Sequence, residues 1–193
     1  MPKKIFILLL ILLACSSLKV LAQQGKKQNG SELTVEADTS LEWFEKEKYY
    51  LAKGNVILKK DGLTLKADMV RANYALENGE NVLKNLIAKE NVVLTKDKSE
   101  ATGQFMNYDV SKKIIIISGP FQTFSSPSGY VESKKIIMFD DLKNKAEANG
   151  SVKIILSNKS IIYANNVKAD FNAKDKSLKK AIAKGNVIIE NKD

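Results

Sequence analysis

The sequence has 193 residues, of which 44% are hydrophobic and 27% are charged, and its formal net charge is +9. This length and balance fit one globular domain, and ten glycines and three prolines exclude a low-complexity chain. The sequence contains no histidine, the commonest general base and metal ligand, and its single cysteine, Cys15, cannot form an internal disulfide.

The first 22 residues have the layout of a secretory signal peptide. Lys3 and Lys4 precede an apolar run from Ile5 to Ala14, and a Val-x-Ala sequence ends at Ala22, where we expect cleavage. The run is shorter than the roughly 20 residues that a membrane-spanning helix needs. Two alternatives remain open: a lipobox-like "LLAC" with a lipid anchor at Cys15, or an uncleaved anchor. Each of them places the rest of the chain outside the cytoplasmic membrane.

Beyond this segment we expect a polar stretch at residues 23–30 and one domain at residues 31–191. The segment carries three lysines and no acid, so the formal charge of +9 falls by three to +6 after cleavage. The remaining chain has no cysteine, which suits an oxidising compartment. A basic exported protein could meet nucleic acid, anionic lipid or phosphorylated glycolipid, and export argues against nucleic acid.

The sequence repeats itself at intervals of about 30 residues. The segment "KADMVRANY" (66–74) matches "YANNVKADF" (163–171), and the same frame recurs in "EADTSLEWF", "EATGQFMNY" and "VESKKIIMF". A block of small residues follows each frame: "AKGNV", "AKENV", "ISGPF", "ANGSV" and "AKGNV". Five repeats therefore cover the whole predicted domain. The aromatic residues that end the five frames are Phe44, Tyr74, Tyr108, Phe139 and Phe171.

Apolar residues alternate with polar ones within each repeat, which predicts β-strands. The apolar positions are odd-numbered up to Ala67 and even-numbered from Val70 onward, so we expect a bulge or corner near Asp68. Glycine is costly inside a strand, and we expect Gly54 and Gly185 of the two "AKGNV" blocks to mark bends. The prediction is an all-β, elongated antiparallel roll of about five repeats, with an apolar interior between two sheets.

The residues give little support to catalysis. Asp38, Asp68 and Asp170 recur in the frame and indicate turn chemistry, in which Asp bonds to nearby backbone. No nucleophile–base pair or acidic metal cluster is evident, so we expect no enzyme activity, no cofactor and no metal.

The repeated "EAD…GNV" pattern resembles the OstA-like domain of lipopolysaccharide transport proteins. The resemblance covers residues 31–191 and is carried by "LTVEAD", "AKGNVIL", "LTLKADMVRANY" and "ATGQFMNYD". It implies a V-shaped, open-ended β-jelly roll in the periplasm that shelters the acyl chains of lipopolysaccharide in its interior. The "ISGPFQTFSSPSG" segment departs from the pattern, because Pro120 cannot donate a ladder hydrogen bond.

The resemblance also implies head-to-tail β-strand association and names the expected partners. These are lipopolysaccharide, further copies of the chain, and LptC-like inner-membrane and LptD-like outer-membrane proteins of the same family. A partner ATPase would supply the energy. The alternatives are an LptC-like or lipid-anchored component, or a structural β-repeat module with a filled core and no ligand.

Two sets of residues follow from the resemblance as candidate sites. The residues alone favour plain core packing for the first set, whereas the resemblance implies a lipid-lined groove. The expected groove lining is Val35, Phe44, Val56, Leu58, Leu65, Ala72, Tyr74, Val92, Leu94, Tyr108, Phe121, Phe139, Val152, Ile154, Ala169, Phe171, Val187 and Ile189. The expected edge-strand residues are Leu33, Val35, Ala37, Asn186, Val187, Ile188 and Ile189. Lysines such as Lys59 and Lys66 could meet lipid phosphates, although a solvated face explains most of them.

Overall fold

The computed structural model describes residues 33–174 and 176–191, and these residues form antiparallel β-strands. The expected signal peptide (1–22) and polar segment (23–30) lie outside the described residues. The strands are β1 (Thr34–Glu36), β2 (Ser40–Phe44), β3 (Tyr49–Lys60), β4 (Leu63–Glu77), β5 (Glu80–Lys96), β6 (Ser99–Asp109), β7 (Ile114–Ser118), β8 (Gln122–Ser126), β9 (Gly129–Ser133), β10 (Ile136–Asp140), β11 (Lys145–Leu156), β12 (Ile161–Phe171), β13 (Leu178–Lys184) and β14 (Ile188–Glu190). The prediction of an antiparallel all-β fold is confirmed.

The strands form one hydrogen-bonded sheet that folds over on itself into two layers. Strands β3, β4, β5, β6, β11 and β12 are long enough to pass through both layers, and the shorter strands belong to one layer each. The first layer runs β2-β3-β4-β5-β6-β7-β10-β11-β12-β13. The second layer runs β1-β3-β4-β5-β6-β8-β9-β11-β12-β14. We call the line where the layers meet the corner.

The corner is built from β-bulges that contain left-handed residues. On β3, Gly54 has φ 81° and Asn55 has φ 43°, and the ladder register to β4 shifts at this point. Asp68 is the only β4 residue between the ladder pairs on either side, so two residues oppose one. The apolar parity of β4 changes across Asp68, as the sequence predicts. The bend predicted at Gly54 is confirmed.

Equivalent corners recur along the sheet without always using glycine. Glu90 (φ 63°) and Asn91 (φ 52°) bend β5, and Gly150 (φ 85°) with Ser151 (φ 50°) bend β11. Register shifts accompany both bends. Gly185 (φ 74°) makes the last corner, which confirms the second predicted bend.

Side chains cross-link neighbouring corners. Asn55 Nδ2 donates to Asp38 Oδ2 at 2.9 Å, and Asn91 Nδ2 donates to Asp68 Oδ2 at 2.8 Å. The two acids therefore lie at the corner as expected, but asparagine side chains are their partners there. Asp170 lies elsewhere: it sits near the end of β12 and pairs with Lys145 at 3.5 Å.

The middle repeat is interrupted as Pro120 suggests. Strand β7 ends at Ser118, the chain leaves the ladder through Gly119 (φ 145°) and Pro120, and β8 begins in the other layer. The sheet remains continuous, because β8 pairs with β6 and β9.

Replacing Glu90 by glycine should stabilise the protein. A non-glycine residue in the left-handed region costs about 1–2 kcal/mol, so we expect Glu90→Gly to raise the free energy of unfolding by about 1 kcal/mol. Lys89→Gly is the matched control, since Lys89 does not have a positive φ, and it should lose about 1 kcal/mol. Urea unfolding followed by circular dichroism measures both, and equal destabilisation would contradict the strain at Glu90.

Two hairpin turns of the first layer are held by carboxylates. Asp109 accepts hydrogen bonds from the backbone N–H of Lys112 at 3.0 Å and from Ser111 Oγ at 2.7 Å, and its pKa is lowered chiefly by the first of these bonds. Asp140 accepts from Lys143 Nζ at 3.0 Å and from Lys143 N at 2.9 Å, and these bonds lower its pKa. Ionised acids therefore order both turns.

Stability should fall in acid because these carboxylates titrate at lower pH in the folded than in the unfolded chain. Their contribution is present above the unfolded pKa of about 4 and is lost as pH falls below it. Asp140→Asn should lower stability at pH 7 and flatten the decline in acid, as measured by urea midpoints across pH. Asp97→Asn, in an exposed turn, is the control. An acid decline of unchanged steepness in Asp140→Asn would rule the mechanism out.

Candidate functional site

The two inner faces of the folded sheet form a continuous apolar groove along the corner. The inner residues next to the corner are buried in repeat after repeat, with exposures from 0% to 7%. They are Ala52, Val56, Ala67, Val70, Ala88, Val92, Met106, Ile117, Ile137, Ala148, Val152, Ala164 and Val167. Because these side chains come from both layers and pack together, the corner side of the groove is closed.

Away from the corner the burial of the inner residues is mixed, and Leu65, Leu86 and Ala101 stay buried one position out. Leu58, Leu94 and Tyr108 lie one inner position further out, and they are only partly buried while packing against the same core. In the other half of the groove, Val131 and Ile154 behave in the same way. The groove therefore has a packed floor at the corner. Further from the corner, its inner faces form an apolar wall of partly exposed residues.

Most of the expected lining residues lie on this floor or wall. Val56, Leu65, Tyr74, Val92 and Val152 are buried. A second group is partly buried against the core: Val35, Leu58, Ala72, Leu94, Tyr108, Phe139 and Ile154. Ala169 and Phe171 are partly buried on β12, and Val187 and Ile189 are 45% and 63% exposed beside the last edge.

Phe44 is placed on the outer face instead of in the groove. It pairs with Tyr49 in the β2–β3 ladder, and the two rings stack with centroids 4.4 Å apart. The first corner holds two residues, Asp38 and Thr39, whose amides bond to carbonyls of β3. This extra residue shifts the alternation by one, so Trp43 takes the inner position.

Phe121 also lies outside the groove core. It is 49% exposed in the connection between β7 and β8, and the buried position goes to Gln122, which is 0% exposed. The departure of the chain from the ladder at Gly119 and Pro120 moves the alternation by one residue. Strict counting from the repeat frame could not reveal this slip.

An aromatic group lines the first end of the groove. Trp43 Nε1 donates to the hydroxyl of Tyr74 at 2.7 Å, and Trp43 stacks on Tyr50 with centroids 6.1 Å apart. Tyr50 in turn lies 5.1 Å from Tyr74, and burial raises the pKa of the Tyr50 hydroxyl. The sequence analysis did not include Trp43 and Tyr50 among the groove-lining residues. The alternation of Leu41 and Trp43 with polar residues does indicate that these two share one face of β2.

A second aromatic contact joins the layers near the middle of the groove. Phe124 of β8 and Phe139 of β10 have centroids 5.1 Å apart at an interplanar angle of 60°. Both rings pack against each of the two buried clusters. The sequence frame identifies Phe139 but not Phe124, which lies in the irregular middle repeat.

Both ends of the sheet have unpaired edges. Among the described strands, β1, β2, β13 and β14 each have one partner. We call β1 with β2 the N-terminal edge, and β13 with β14 the C-terminal edge. The C-terminal edge exposes aliphatic residues, with Leu178 and Ile188 each 57% exposed and Ile189 63% exposed. Leu33 and Ala37 flank β1, and Asn186 and Val187 precede β14, so the expected association residues lie at these edges.

The outer face holds most of the charge. Lys59 and Lys66 border a shallow depression of about 380 Å³ on the second layer. The Arg71 guanidinium instead covers the Tyr49 ring on the first layer, 3.8 Å from its centroid. Within residues 33–174 and 176–191, no group of acids could hold a metal ion, and no helix could span a membrane.

These features define an all-β repeat protein with an apolar groove, a charged exterior and open edges at both ends. The profile described as "LptA/(LptD N-terminal domain) LPS transport protein" matches residues 34–141, which is more than half of the chain. The chain therefore belongs to this family of lipopolysaccharide transport proteins.

Among solved structures, the chain is similar to LptH from Pseudomonas aeruginosa, described as the LptA-homologous periplasmic component of the lipopolysaccharide transport device. The identity is 11%, the TM-score is 0.33, and the match covers 84% of this chain and 96% of that chain. At these values the likeness adds nothing to the family assignment. No curated protein matches the chain significantly.

Proposed function

We propose that the protein is a non-enzymatic lipopolysaccharide carrier with an LptA-like role in the periplasm. Acyl chains lie against the groove wall, and the headgroup stays outside. The observation that supports this most is the set of partly exposed apolar residues on the inner faces away from the corner, such as Leu58, Leu94 and Ile154. A wall of this shape can cover a chain along its length.

The energy of such binding comes from methylene burial. Each methylene taken out of water contributes about 0.8 kcal/mol, so several chains on the wall hold a lipid without a membrane. A bound chain also removes from water the exposed surface of partly buried residues such as Leu58 and Leu94. Lysines on the outer face remain in water, where phosphates can meet them.

The edges support a bridge made of several copies. The C-terminal edge of one copy would pair with the N-terminal edge of the next, which continues both layers and the groove across the junction. A head-to-tail contact of this type does not close, and it therefore builds a filament. LptC-like and LptD-like family members would offer matching edges at the two membranes, and a partner ATPase would drive the flow.

A filled structural module is the competing function, and one observation favours it. Val56, Leu65 and Ile117 are 0% exposed, so the floor of the groove is already packed. An LptC-like or lipid-anchored component differs from the carrier in residues 1–22, outside the described part of the chain. Lipid binding at the wall separates the carrier from the filled module.

Lipopolysaccharide should bind at the wall and change the emission of Trp43, the only tryptophan in the sequence. We expect Leu58→Asp to weaken binding at least about tenfold, because a carboxylate on the wall must be desolvated by the chain. Ile57→Asp is the matched control, since Ile57 pairs with Lys66 on the outer face of the same strands. Fluorescence titration of both folded variants measures the difference. Equal affinities, or no binding by the wild type, would refute a wall-bound lipid.

If edges pair, the assemblies that the protein forms should become longer as the protein concentration rises. Ile188→Lys places a charge on the C-terminal edge and should keep the protein monomeric, because lysine at an edge opposes strand addition. Leu142→Lys is the control, since Leu142 is 58% exposed, close to the 57% of Ile188, but lies in a turn. Sedimentation velocity over a series of protein concentrations measures the assembly state of the wild type and of both variants. Assembly that persists in Ile188→Lys, or that fails equally in Leu142→Lys, would count against this edge.

A further inference from the structure

The middle repeat places a polar side chain on the apolar floor of the groove. Gln122 is the first paired residue after the corner on its strand, as Val56, Val92 and Val152 are on theirs. All four side chains are between 0% and 1% exposed. One repeat therefore carries an amide where three others carry a valine.

The orientation of this amide is fixed by its partner. Gln122 Nε2 lies 2.9 Å from the backbone oxygen of Ser133, and a carbonyl oxygen can only accept, so nitrogen must face it. Gln122 Oε1 then points away. Within the described part of the chain it is the one buried side-chain nitrogen or oxygen without a hydrogen-bond partner.

Neighbouring groups do not satisfy this oxygen. The Ser133 hydroxyl, which is also buried, lies 2.9 Å from the Ile136 carbonyl and 2.5 Å from the Asn149 carbonyl, so its proton is already committed. A buried acceptor without a donor is costly, and native proteins keep few of them. A donor from outside the chain, either a water or a group of a ligand, would satisfy this oxygen.

Gly103 and Phe124 lie on either side of this amide. The side towards Gly103 is closely packed, because a Cβ there would stand 3.7 Å from Gln122 Cγ and only 2.5 Å from Ile117 Cγ2. On the other side, Phe124 is the next inner residue of β8 and touches Phe139 across the groove. Because Gln122 is 0% exposed, a chain that reaches the amide must displace these two rings.

We propose that Gln122 Oε1 accepts a hydrogen bond from a hydroxyl or amide N–H carried by an acyl chain in the groove. The middle of the groove then selects chains that bear a donor, because only a donor forms a hydrogen bond with this oxygen. Phe124 and Phe139 position the chain over the amide. This inference rests on the proposed lipid-carrying function.

Three fatty acids of equal chain length test the donor requirement on the wild-type protein. They are myristate, β-hydroxymyristate and β-methoxymyristate, of which only the second has a donor on its chain. One net hydrogen bond predicts a three- to tenfold tighter binding of β-hydroxymyristate, with the ether no better than myristate. Trp43 fluorescence or calorimetry gives the affinities. Equal binding of all three overturns the subsite but leaves the carrier intact, whereas binding of none overturns both.

Gln122→Met tests the residue itself. Methionine has a similar length without the amide, so we expect the preference for β-hydroxymyristate to vanish while the affinity for myristate is retained. Gln104→Met, an exposed glutamine at the corner of β6, should keep the preference. A preference that survives in Gln122→Met overturns the proposal. If that variant does not fold, the comparison between hydroxyl and ether on the wild type decides alone.

Discussion

The two-layer structure depends on the left-handed corner. A pair of residues with positive φ, such as Gly54 and Asn55, turns a continuous strand from one layer into the next without breaking the ladder on either side. Left-handed residues cost about 1–2 kcal/mol each unless they are glycine. Val56 and Val92, buried directly beside these bends, offset that cost by about 1.5–3 kcal/mol each. Backbone strain and core burial are therefore adjacent at the corners of β3, β5 and β11.

Because the corner closes one side of the groove, the other side is left without cover. The strands that cross both layers contribute buried residues at the bend and partly buried ones such as Leu58, Leu94 and Ile154 further out, although Leu65 and Leu86 stay buried. A sandwich closed on both sides would bury Leu58 and Leu94 as completely as Val56 and Val92. The open wall thus follows from folding a sheet once, and it needs no specialised binding residues.

The sequence predicted the corner because the odd or even numbering of the apolar residues shows which face of the sheet they occupy. The change of parity between Ala67 and Val70 can arise only where a residue is skipped, and the structure has its bulge there. The same counting fails wherever a corner holds a different number of residues, as at Thr39 and Pro120. Phe44 and Phe121 were displaced for that reason. Gln122 could not be found at all, since a single polar residue in an irregular repeat has no periodic signal.

The two edges differ in chemistry, and this difference is compatible with the proposed head-to-tail assembly. At the N-terminal edge, Trp43 is 56% exposed but held by the Tyr74 hydroxyl and the Tyr50 ring, so it presents an ordered aromatic surface. The C-terminal edge presents aliphatic side chains such as Leu178 and Ile189. A closed two-fold dimer would pair one edge with the same edge of a second copy. The proposed head-to-tail association instead joins unlike edges, which leaves a free edge at each end for the next partner.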